Sequence, residues 1–310
     1  MNNNYILLNR LGYGANFNNI YIDYEKNLIK KECINSYGNN KIRNEIVLYN
    51  FIIDNKISFP IPNIFSVYEN GYVMQYLFNF KHLYKIFKSL NKAKITDKIK
   101  QNLLNLHSFT KKTVTQYEYK FHLKIEIETK IIDRIQSIQH IIQKYNYVKT
   151  VNNKPILPFE TLMDKIKTFI YNIVNNKKEY YFVPIHGDCQ FNNIMYNDET
   201  EDIVFIDPRG YYGDFSIFGI PEYDDAKIKF ALSGYDEFDN RIINNLNIQD
   251  NNIDIFIDFL DETVINDKSF STALMISIWL GNAHCFILNE NKTIYSYFIA
   301  LYLGTVFFTE

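Results

Sequence analysis

The chain has 310 residues, of which 33 are Lys or Arg and 35 are Asp or Glu, so its formal net charge at pH 7 is −2. This balance argues against a nucleic-acid partner, because contacts to phosphates require a clear basic excess. A hydrophobic content of 47% excludes wholesale disorder. Cys33, Cys189 and Cys285 form no CxxC pair, which is typical of reduced thiols in a cytoplasmic protein.

Neither end of the chain carries an obvious membrane signal. The first ten residues contain no basic segment followed by an apolar stretch, so no signal peptide is expected. The longest apolar stretch, residues 295–308, is about 14 residues long, whereas a membrane-spanning helix needs about 20. We therefore expect a buried core helix there and no membrane partner.

The first 77 residues are predicted to form strands and one helix. Residues rich in β-formers occupy 5–9, 19–23, 28–33, 64–69 and 72–76, and apolar residues recur at helical spacing over 42–53. Asn70-Gly71 joins the last two strands and is the strongest short hairpin signal. This part should be a small sheet with one helix.

Beyond residue 77 the pattern changes to amphipathic helices. Apolar stripes run through residues 99–109 and 127–142, and a further helix is predicted over 160–173. Two short strands, at 180–185 and 203–206, interrupt them, and helices are expected from about residue 223 to the end. The sequence thus predicts a small strand-rich domain, residues 1–77, followed by a larger helical domain, residues 78–310.

The segment between those two short strands carries the most informative polar residues. His186, Asp188 and Asn193 lie in this connection, and the second strand ends at Asp207. Phosphoryl transfer from ATP needs a carboxylate that receives the acceptor proton and oxygen ligands that hold Mg²⁺. Asp188 suits the first task, and Asn193 and Asp207 suit the second. The alternative is a strand–turn–strand unit in which His186 and Asp188 merely cap the turn.

The pattern His186-x-Asp188, four residues, Asn193, then an apolar strand ending in Asp207 resembles the catalytic loop and metal-binding Asp of the aminoglycoside phosphotransferase/choline kinase family. The resemblance implies an α+β, bilobal protein-kinase-like fold with a small antiparallel-sheet N-lobe that binds nucleotide and a larger helical C-lobe. It also implies an ATP- and Mg²⁺-dependent kinase of a small-molecule hydroxyl, on a sugar, amino alcohol or aminoglycoside. Asp188 would be the catalytic residue, supported by His186.

The same resemblance assigns residues to the nucleotide. The loop with Gly12 and Gly14 would cover the phosphates, since glycine lets backbone N–H groups approach closely. The segment with Gln75 and Tyr76 would be the hinge whose backbone binds adenine. A plain hairpin turn remains the alternative for the glycine pair.

A lysine of the third strand would contact the phosphates and pair with Glu45 of the following helix. Strand alternation allows only one of Lys30 and Lys31 to face the nucleotide. Lys31 shares its face with Ile29 and Cys33, which favours Lys31 and leaves Lys30 as the alternative. A solvated lysine pair is the competing interpretation.

Further segments are similar to the family with two departures. Leu106-His107 resembles its Leu-His helix end, although a His that caps carbonyls would look the same. Gly213-Asp214 and Asp224-Asp225-Ala226 resemble its Gly-Asp-Pro…Asp-x-Ala segment, but Phe215 replaces the proline. Arg209 follows Asp207-Pro208 and could bind a phosphate or an anionic substrate, or pair with a carboxylate.

The sequence indicates less about the identity of the acceptor than about the nucleotide site. Candidate substrate residues are Arg209, Asp214, Tyr223, Asp225 and Trp279. An aromatic and acidic lining would suit a cationic acceptor, whereas in a chain with 25 Tyr and 25 Phe the same aromatics could be core residues. A nucleotide-binding pseudokinase or scaffold, and a protein-modifying enzyme of the same fold, remain alternatives. ATP versus GTP and the oligomeric state stay open.

Overall fold

The computed structural model describes residues 4–8, 17–255 and 263–309. Two compact units divide the chain. The first unit comprises Met1–Lys112 and Phe182–Ile228, and the second unit comprises Thr113–Tyr181 and Lys229–Glu310. Each unit is built from two separate stretches of chain.

The strands are short and fall in both units. In chain order they are β1 Ile6–Leu7, β2 Asn18–Asp23, β3 Leu28–Cys33, β4 Ile64–Tyr68, β5 Gly71–Gln75, β6 Phe80–His82, β7 Lys112–Thr113, β8 Thr150–Val151, β9 Lys154–Pro155, β10 Tyr181–Pro184, β11 Ile194–Asn197, β12 Ile203–Phe205, β13 Tyr211–Tyr212, β14 Phe215–Ser216, β15 Phe218–Gly219, β16 Asn247–Gln249 and β17 Asn252–Asp254.

Most of the helices are longer. They are α1 Ser36–Asp54, α2 Leu83–Ile86, α3 Lys92–His107, α4 Gln116–Lys124, α5 Lys130–Ser137, α6 Gln139–Ile142, α7 Phe159–Asn175, α8 Pro221–Leu232, α9 Tyr235–Asn240, α10 Thr263–Asn266, α11 Phe270–Asn282 and α12 Glu290–Thr309. A π-helical turn, Ile125–Thr129, joins α4 to α5, and short 3₁₀ turns include Phe191–Asn193.

A five-stranded antiparallel sheet in the order β1-β2-β3-β5-β4 dominates the N-terminal part of the first unit. Helix α1 begins after Asn35, whose side chain accepts a hydrogen bond from the Gly38 amide and so satisfies one unpaired donor of the first turn. Apolar residues of α1 and the sheet pack into one core, made by Ile42, Tyr49, Tyr72 and Met74. This packing fixes α1 against the sheet face that carries Lys31.

A second sheet of the first unit, β12-β11-β6, holds the polar connection after β10. Strands β11 and β12 are antiparallel with Ile194 opposite Phe205, and the Ile206 amide donates to the Asn193 carbonyl at 3.0 Å. Asn193 is the residue before β11, and Asp207 follows β12 by two residues. The strand register therefore brings Asn193 close to the chain segment that carries Asp207.

The second unit combines helices with a small sheet, β16-β17-β8-β9. Trp279 of α11 lies in its core against Phe230, Tyr235 and Phe238. The apolar C-terminal stretch is the buried helix α12, as predicted. Among the described residues no helix is long and apolar enough to span a membrane.

The predicted strands are confirmed within two residues at each end, and α1 begins six residues before the predicted 42. The predicted hairpin of β4 and β5 is present, but Tyr68 pairs with Gly71, so its turn is Glu69-Asn70 and not Asn70-Gly71. The expectation of helices alone after residue 223 is wrong, because the hairpin of β16 and β17 interrupts them. The division of nucleotide and substrate roles at residue 77 stays a prediction.

Candidate active site

Three charged side chains meet at the inner face of the five-stranded sheet. Lys31 Nζ lies 2.9 and 2.8 Å from the two Glu45 carboxylate oxygens and 2.9 Å from Asp207 Oδ1. The Lys31 side chain is only 2% exposed, whereas that of Asp207 is 32% exposed. The cluster thus has a buried ammonium and an accessible carboxylate.

Neighbouring tyrosines hold this cluster in place. Tyr72 Oη donates to Glu45 Oε2 at 2.8 Å, and the Asp207 amide donates to Tyr49 Oη at 3.1 Å. Burial disfavours the charge of Lys31, but Asp207 and Glu45 outweigh it and raise the pKa of Lys31. Lys31 is therefore a permanent cation directed at the Asp207 carboxylate.

Lys30 lies on the opposite face of β3. Its Nζ pairs with Glu32 at 2.6 Å and lies 5.5 Å from the centre of the Tyr21 ring. Of the two lysines, the structure brings only Lys31 to Glu45 and Asp207, as the apolar face of the strand indicated.

Asp188 and Asn193 are joined in the connection between β10 and β11. Asn193 Nδ2 donates to the Asp188 backbone carbonyl at 2.9 Å and to Asp188 Oδ2 at 3.0 Å. The other carboxylate oxygen, Oδ1, lies 2.8 Å from Lys227 Nζ. Burial opposes the charge of Asp188, but Lys227 more than compensates and lowers its pKa. Asp188 is consequently ionised at neutral pH.

His186 is a buried structural residue of the same connection. Its Nε2 lies 3.1 Å from the Ile206 carbonyl oxygen, and its Nδ1 accepts the Asp188 amide at 3.3 Å. Since a carbonyl only accepts, Nε2 carries the proton and the ring is neutral. Burial lowers the pKa of His186, which agrees with that tautomer. The imidazole thereby links the residue before Asp207 to Asp188.

Asp224 anchors the backbone of the connection between β10 and β11. Its two carboxylate oxygens accept the His186 amide at 2.9 Å and the Gly187 amide at 2.6 Å, and His107 Nε2 lies 2.9 Å from Oδ2. Asp224 is wholly buried. His107 therefore bonds a carboxylate rather than capping a helix. This explains the Leu-His ending of α3 and the Asp-x-Ala segment together.

The predicted hinge lies at the end of β5. The Gln75 amide donates to Asn63 O and the Tyr76 amide donates to Asn27 O, both at 2.8 Å, and Tyr76 O accepts from the Phe78 amide at 3.1 Å. The backbone groups of Tyr76 are thus engaged within the protein. Gly12 and Gly14 lie outside the described residues.

The acceptor candidates fall in different places. Arg209, Asp214, Tyr223 and Asp225 lie in the first unit, and Asp225 Oδ1 lies 3.7 Å from Lys100 Nζ. Trp279 is wholly buried in the second unit and its indole donates to Ser233, so it is a core residue there.

Lys227 is the site residue that sequence reasoning missed. It lies 39 positions after Asp188, and no spacing rule connects an α8 lysine with the β10–β11 connection. The one available signal was its position directly after Asp-x-Ala, a segment already expected to brace the catalytic residues.

The sequence matches the family model of choline/ethanolamine kinases over residues 34–211, more than half of the chain. The chain belongs to the choline/ethanolamine kinase family. It is accordingly a small-molecule kinase, a phosphotransferase with an alcohol group as acceptor. The matched range contains Lys31's partner Glu45 and all of the residues from His186 to Arg209.

Several solved structures share the fold of this chain. An ethanolamine kinase of Plasmodium vivax is 12% identical and covers 96% of this chain and 80% of its own, with a TM-score of 0.54. The ADP-bound aminoglycoside phosphotransferase APH(2'')-Ib is 15% identical, covering 98% and 94%, with a TM-score of 0.53. Choline kinase LicA from Streptococcus pneumoniae is 13% identical, covering 96% and 93%, with a TM-score of 0.51.

These likenesses confirm the α+β protein-kinase-like fold, and the family model confirms the suspected family. Among curated proteins, none matches the chain.

Proposed function

We propose that this family member transfers the γ-phosphoryl group of ATP, in the presence of Mg²⁺, to a hydroxyl of a small molecule such as a sugar, amino alcohol or aminoglycoside. The observation that carries the proposal is the convergence of Lys31, Glu45 and Asp207 in one cluster, with Asn193 placed beside it by the β11–β12 register. The lysine, the carboxylates and the amide that phosphoryl transfer uses then lie in one compact unit.

In this proposal Lys31 binds the α- and β-phosphates, and Glu45 fixes its position. Asp207 and the amide oxygen of Asn193 are hard oxygen ligands of the kind that Mg²⁺ takes together with phosphates and water. The donor set therefore fits Mg²⁺. When bound, the ion would neutralise charge on the transferring group. Among the described residues no three His, Cys, Asp or Glu side chains form a metal cluster.

Asp188 receives the proton of the acceptor hydroxyl. The acceptor oxygen forms a bond to the γ-phosphorus while the bond from that phosphorus to the β,γ-bridging oxygen breaks and ADP leaves with the electron pair. Asp188 suits this task because Lys227 and Asn193 each hold one of its oxygens, which fixes the direction of the carboxylate. His186 and Asp224 act by positioning the backbone on either side.

We also propose that the reaction takes place in the cytoplasm. Cys33, Cys189 and Cys285 are all free thiols, which supports a reducing compartment with its own ATP supply.

The first test is thermal unfolding of the whole chain with ATP plus Mg²⁺, GTP plus Mg²⁺, and each nucleotide with EDTA. A ligand at about 100 times its dissociation constant stabilises a protein by about 2.7 kcal/mol. We expect a shift with ATP that requires Mg²⁺ and that the Asp207→Ala variant loses. No shift with either nucleotide would contradict the proposal.

Product mass separates the remaining alternatives. A gain of one phosphate on a small molecule supports the kinase, whereas transfer of a nucleotide moiety to protein would support a protein-modifying enzyme. Metal-dependent nucleotide binding without any transfer would favour the pseudokinase or scaffold.

A further inference from the structure

Helix α8 is tied to the β10–β11 connection at several consecutive positions. The Asp224 carboxylate accepts the His186 and Gly187 amides. The Asp224 backbone carbonyl accepts a hydrogen bond from the Cys189 thiol at 3.2 Å. Burial raises the pKa of Cys189, so the thiol keeps its proton and remains a donor. The chain on both sides of Asp188 is therefore fixed to one turn of α8.

Lys227 extends this attachment to the Asp188 side chain. Asp224 and Lys227 are three residues apart in α8, a spacing that places two side chains on one face of a helix. Lys227 Nζ lies 2.8 Å from Asp188 Oδ1, while Asn193 donates to the other oxygen, Oδ2, at 3.0 Å. The carboxylate is therefore held at both oxygens, once from α8 and once from its own connection.

The two members of this ion pair differ in exposure. The Lys227 side chain is 13% exposed, whereas that of Asp188 is 30% exposed. Burial disfavours the charge of Lys227, but Asp188 outweighs it and raises the pKa of Lys227. The ammonium is thus charged and mostly covered, and the carboxylate is the more accessible member of the pair. Lys31 and Asp207 show the same division.

We propose that Lys227 is a positioning residue for phosphoryl transfer, which acts through Asp188 by holding its carboxylate in one orientation and does not itself bind the nucleotide or the acceptor. The inference rests on the proposed function, because it takes Asp188 as the group that receives the hydroxyl proton. Transfer requires the reacting groups within a narrow range of distances and angles. Loss of Lys227 should therefore lower the rate of the chemical step and leave the affinity for ATP unchanged.

The test is a double-mutant cycle of Lys227→Met and Asp188→Asn. With ATP and Mg²⁺, the single-turnover rate of ADP formation is measured with ethanolamine, glucosamine and gentamicin as acceptors. The compound that reacts fastest with the unsubstituted chain is then used for every variant, and water serves as the acceptor if none of the three reacts. Thermal shifts caused by ATP and Mg²⁺ are recorded for the same chains, and each rate is measured below the unfolding temperature of its variant.

We expect Lys227→Met to lower the rate of transfer about tenfold or more, because a positioned acid–base group contributes roughly 10²–10⁴-fold and Lys227 fixes its position. In the Asp188→Asn background, Lys227→Met should change the rate by less than about twofold, because residues that act as a unit are not additive. The thermal shift caused by ATP and Mg²⁺ should remain in both single variants and in the double variant.

Further variants separate positioning from a loss of folding. Lys227→Arg keeps a positive charge opposite Asp188 and should recover most of the rate that Lys227→Met loses. Lys100→Met is the matched control, because Lys100 Nζ lies 3.7 Å from Asp225 Oδ1 of the same helix at an exposed position. It removes the same charge and should keep the rate of the unsubstituted chain. The Asp188→Asn background also leaves no carboxylate without its cation when Lys227 is replaced.

Rate losses that multiply in the double variant would overturn the proposal, because Lys227 would then act independently of Asp188. Loss of the ATP and Mg²⁺ thermal shift in Lys227→Met would also overturn it, since Lys227 would then belong to the nucleotide site. Equal rates in Lys227→Met and the unsubstituted chain would show that the ion pair has no part in transfer. These three outcomes leave the proposed function standing. If the unsubstituted chain transfers phosphate neither to a compound nor to water, the proposed function itself fails, and this inference fails with it.

Discussion

Lys30 and Lys31 are neighbours in the chain, yet one lies among tyrosines near the surface and the other lies between two carboxylates. The difference follows from the two-residue period of a strand, since successive side chains point to opposite faces. Ile29 and Cys33 pack against the apolar core on the face of Lys31. This assignment could therefore be made from the sequence.

The lysine pair gives a matched test of the nucleotide site. Lys31→Met removes the cation at Glu45 and Asp207 and should lower the rate of phosphoryl transfer by about 10²-fold or more, the scale of losing one fixed charge-stabilising donor. Lys30→Met removes the same charge from the other face and should stay within about threefold. The measurement is ADP release at saturating acceptor, below the unfolding temperature of each variant. Equal losses in both variants would contradict the assignment.

Asp224 and Asp225 form a second matched pair, this time for stability. Asp224→Asn replaces one carboxylate oxygen with an NH₂ group, which would then face a backbone N–H donor. Breaking such a buried charged network lowers the free energy of unfolding by about 3–5 kcal/mol. Asp225 is about one-third exposed and lies 3.7 Å from Lys100, and such surface pairs contribute about 0–1 kcal/mol. Urea unfolding of the Asp224→Asn and Asp225→Asn variants measures the two changes in the free energy of unfolding. A loss below about 1 kcal/mol in the first variant would show that Asp224 is not the anchor described.

At the scale of the secondary-structure elements, the loop after β12 has a constrained backbone. Asp207 and Gly210 both have positive φ values, +53° and +69°, and a Cβ on Gly210 would overlap the carbonyl oxygen of Asn44 in α1. Glycine is needed there because α1 and the loop approach backbone to backbone. The loop thereby holds Asp207 next to the α1 residue Glu45.

Gly210→Ala tests this close approach. Backbone strain of this kind costs about 1–3 kcal/mol, and the overlap adds to it, so we expect a clear fall in the free energy of unfolding together with weaker nucleotide binding. Gly281→Ala is the control, since a Cβ within α11 meets its nearest atoms at 3.6 Å and alanine favours a helix by up to about 1 kcal/mol. Thermal unfolding compares the two. An equally tolerated Gly210→Ala would contradict the described approach.

A secondary-structure element could be predicted from the sequence where neighbouring residues determine it. The hairpin of β4 and β5 was predicted from a local turn signal, although its turn is Glu69-Asn70, one residue earlier than Asn70-Gly71. Helix α1 was predicted from its apolar spacing, but its first turn was missed because its residues are polar and only Asn35 marks the start. The hairpin of β16 and β17 was missed because its strands have only three residues each, and polar residues, Asp250 and Asn251, form its turn. Lys227 was missed because its partner is distant in sequence.

At the scale of the whole molecule, the groups of the candidate active site belong to one of the two compact units. Glu45, Asp188, Asp207 and Asp224 all lie within Met1–Lys112 or Phe182–Ile228. That unit is assembled from two distant stretches of chain, so its boundaries could not be found from a change of composition. The predicted boundary at residue 77 follows β5, a strand of the five-stranded sheet, and it stays a prediction.

Hydrogen exchange should show this division when ligand is added. With ATP and Mg²⁺ we expect slower exchange in β3, in α1 and from Asn193 to Asp207, because ligand binding suppresses the local openings of the unit that binds it. The sheet β16-β17-β8-β9 of the second unit should change little. Removal of Mg²⁺ with EDTA should abolish the difference. Uniform protection across both units would contradict this localisation.

The bond between Lys31 and Asp207 has a thermodynamic consequence for ligand binding. In the proposed site, a divalent cation at Asp207 would share that carboxylate with the buried ammonium of Lys31, whose Nζ lies 2.9 Å from Asp207 Oδ1. Phosphates that bind Lys31 would relieve the repulsion between the two cations. Metal and nucleotide should therefore show positive cooperativity, and by linkage each raises the affinity for the other by the same factor. The protein then responds to the metal–nucleotide complex far more strongly than to either component alone.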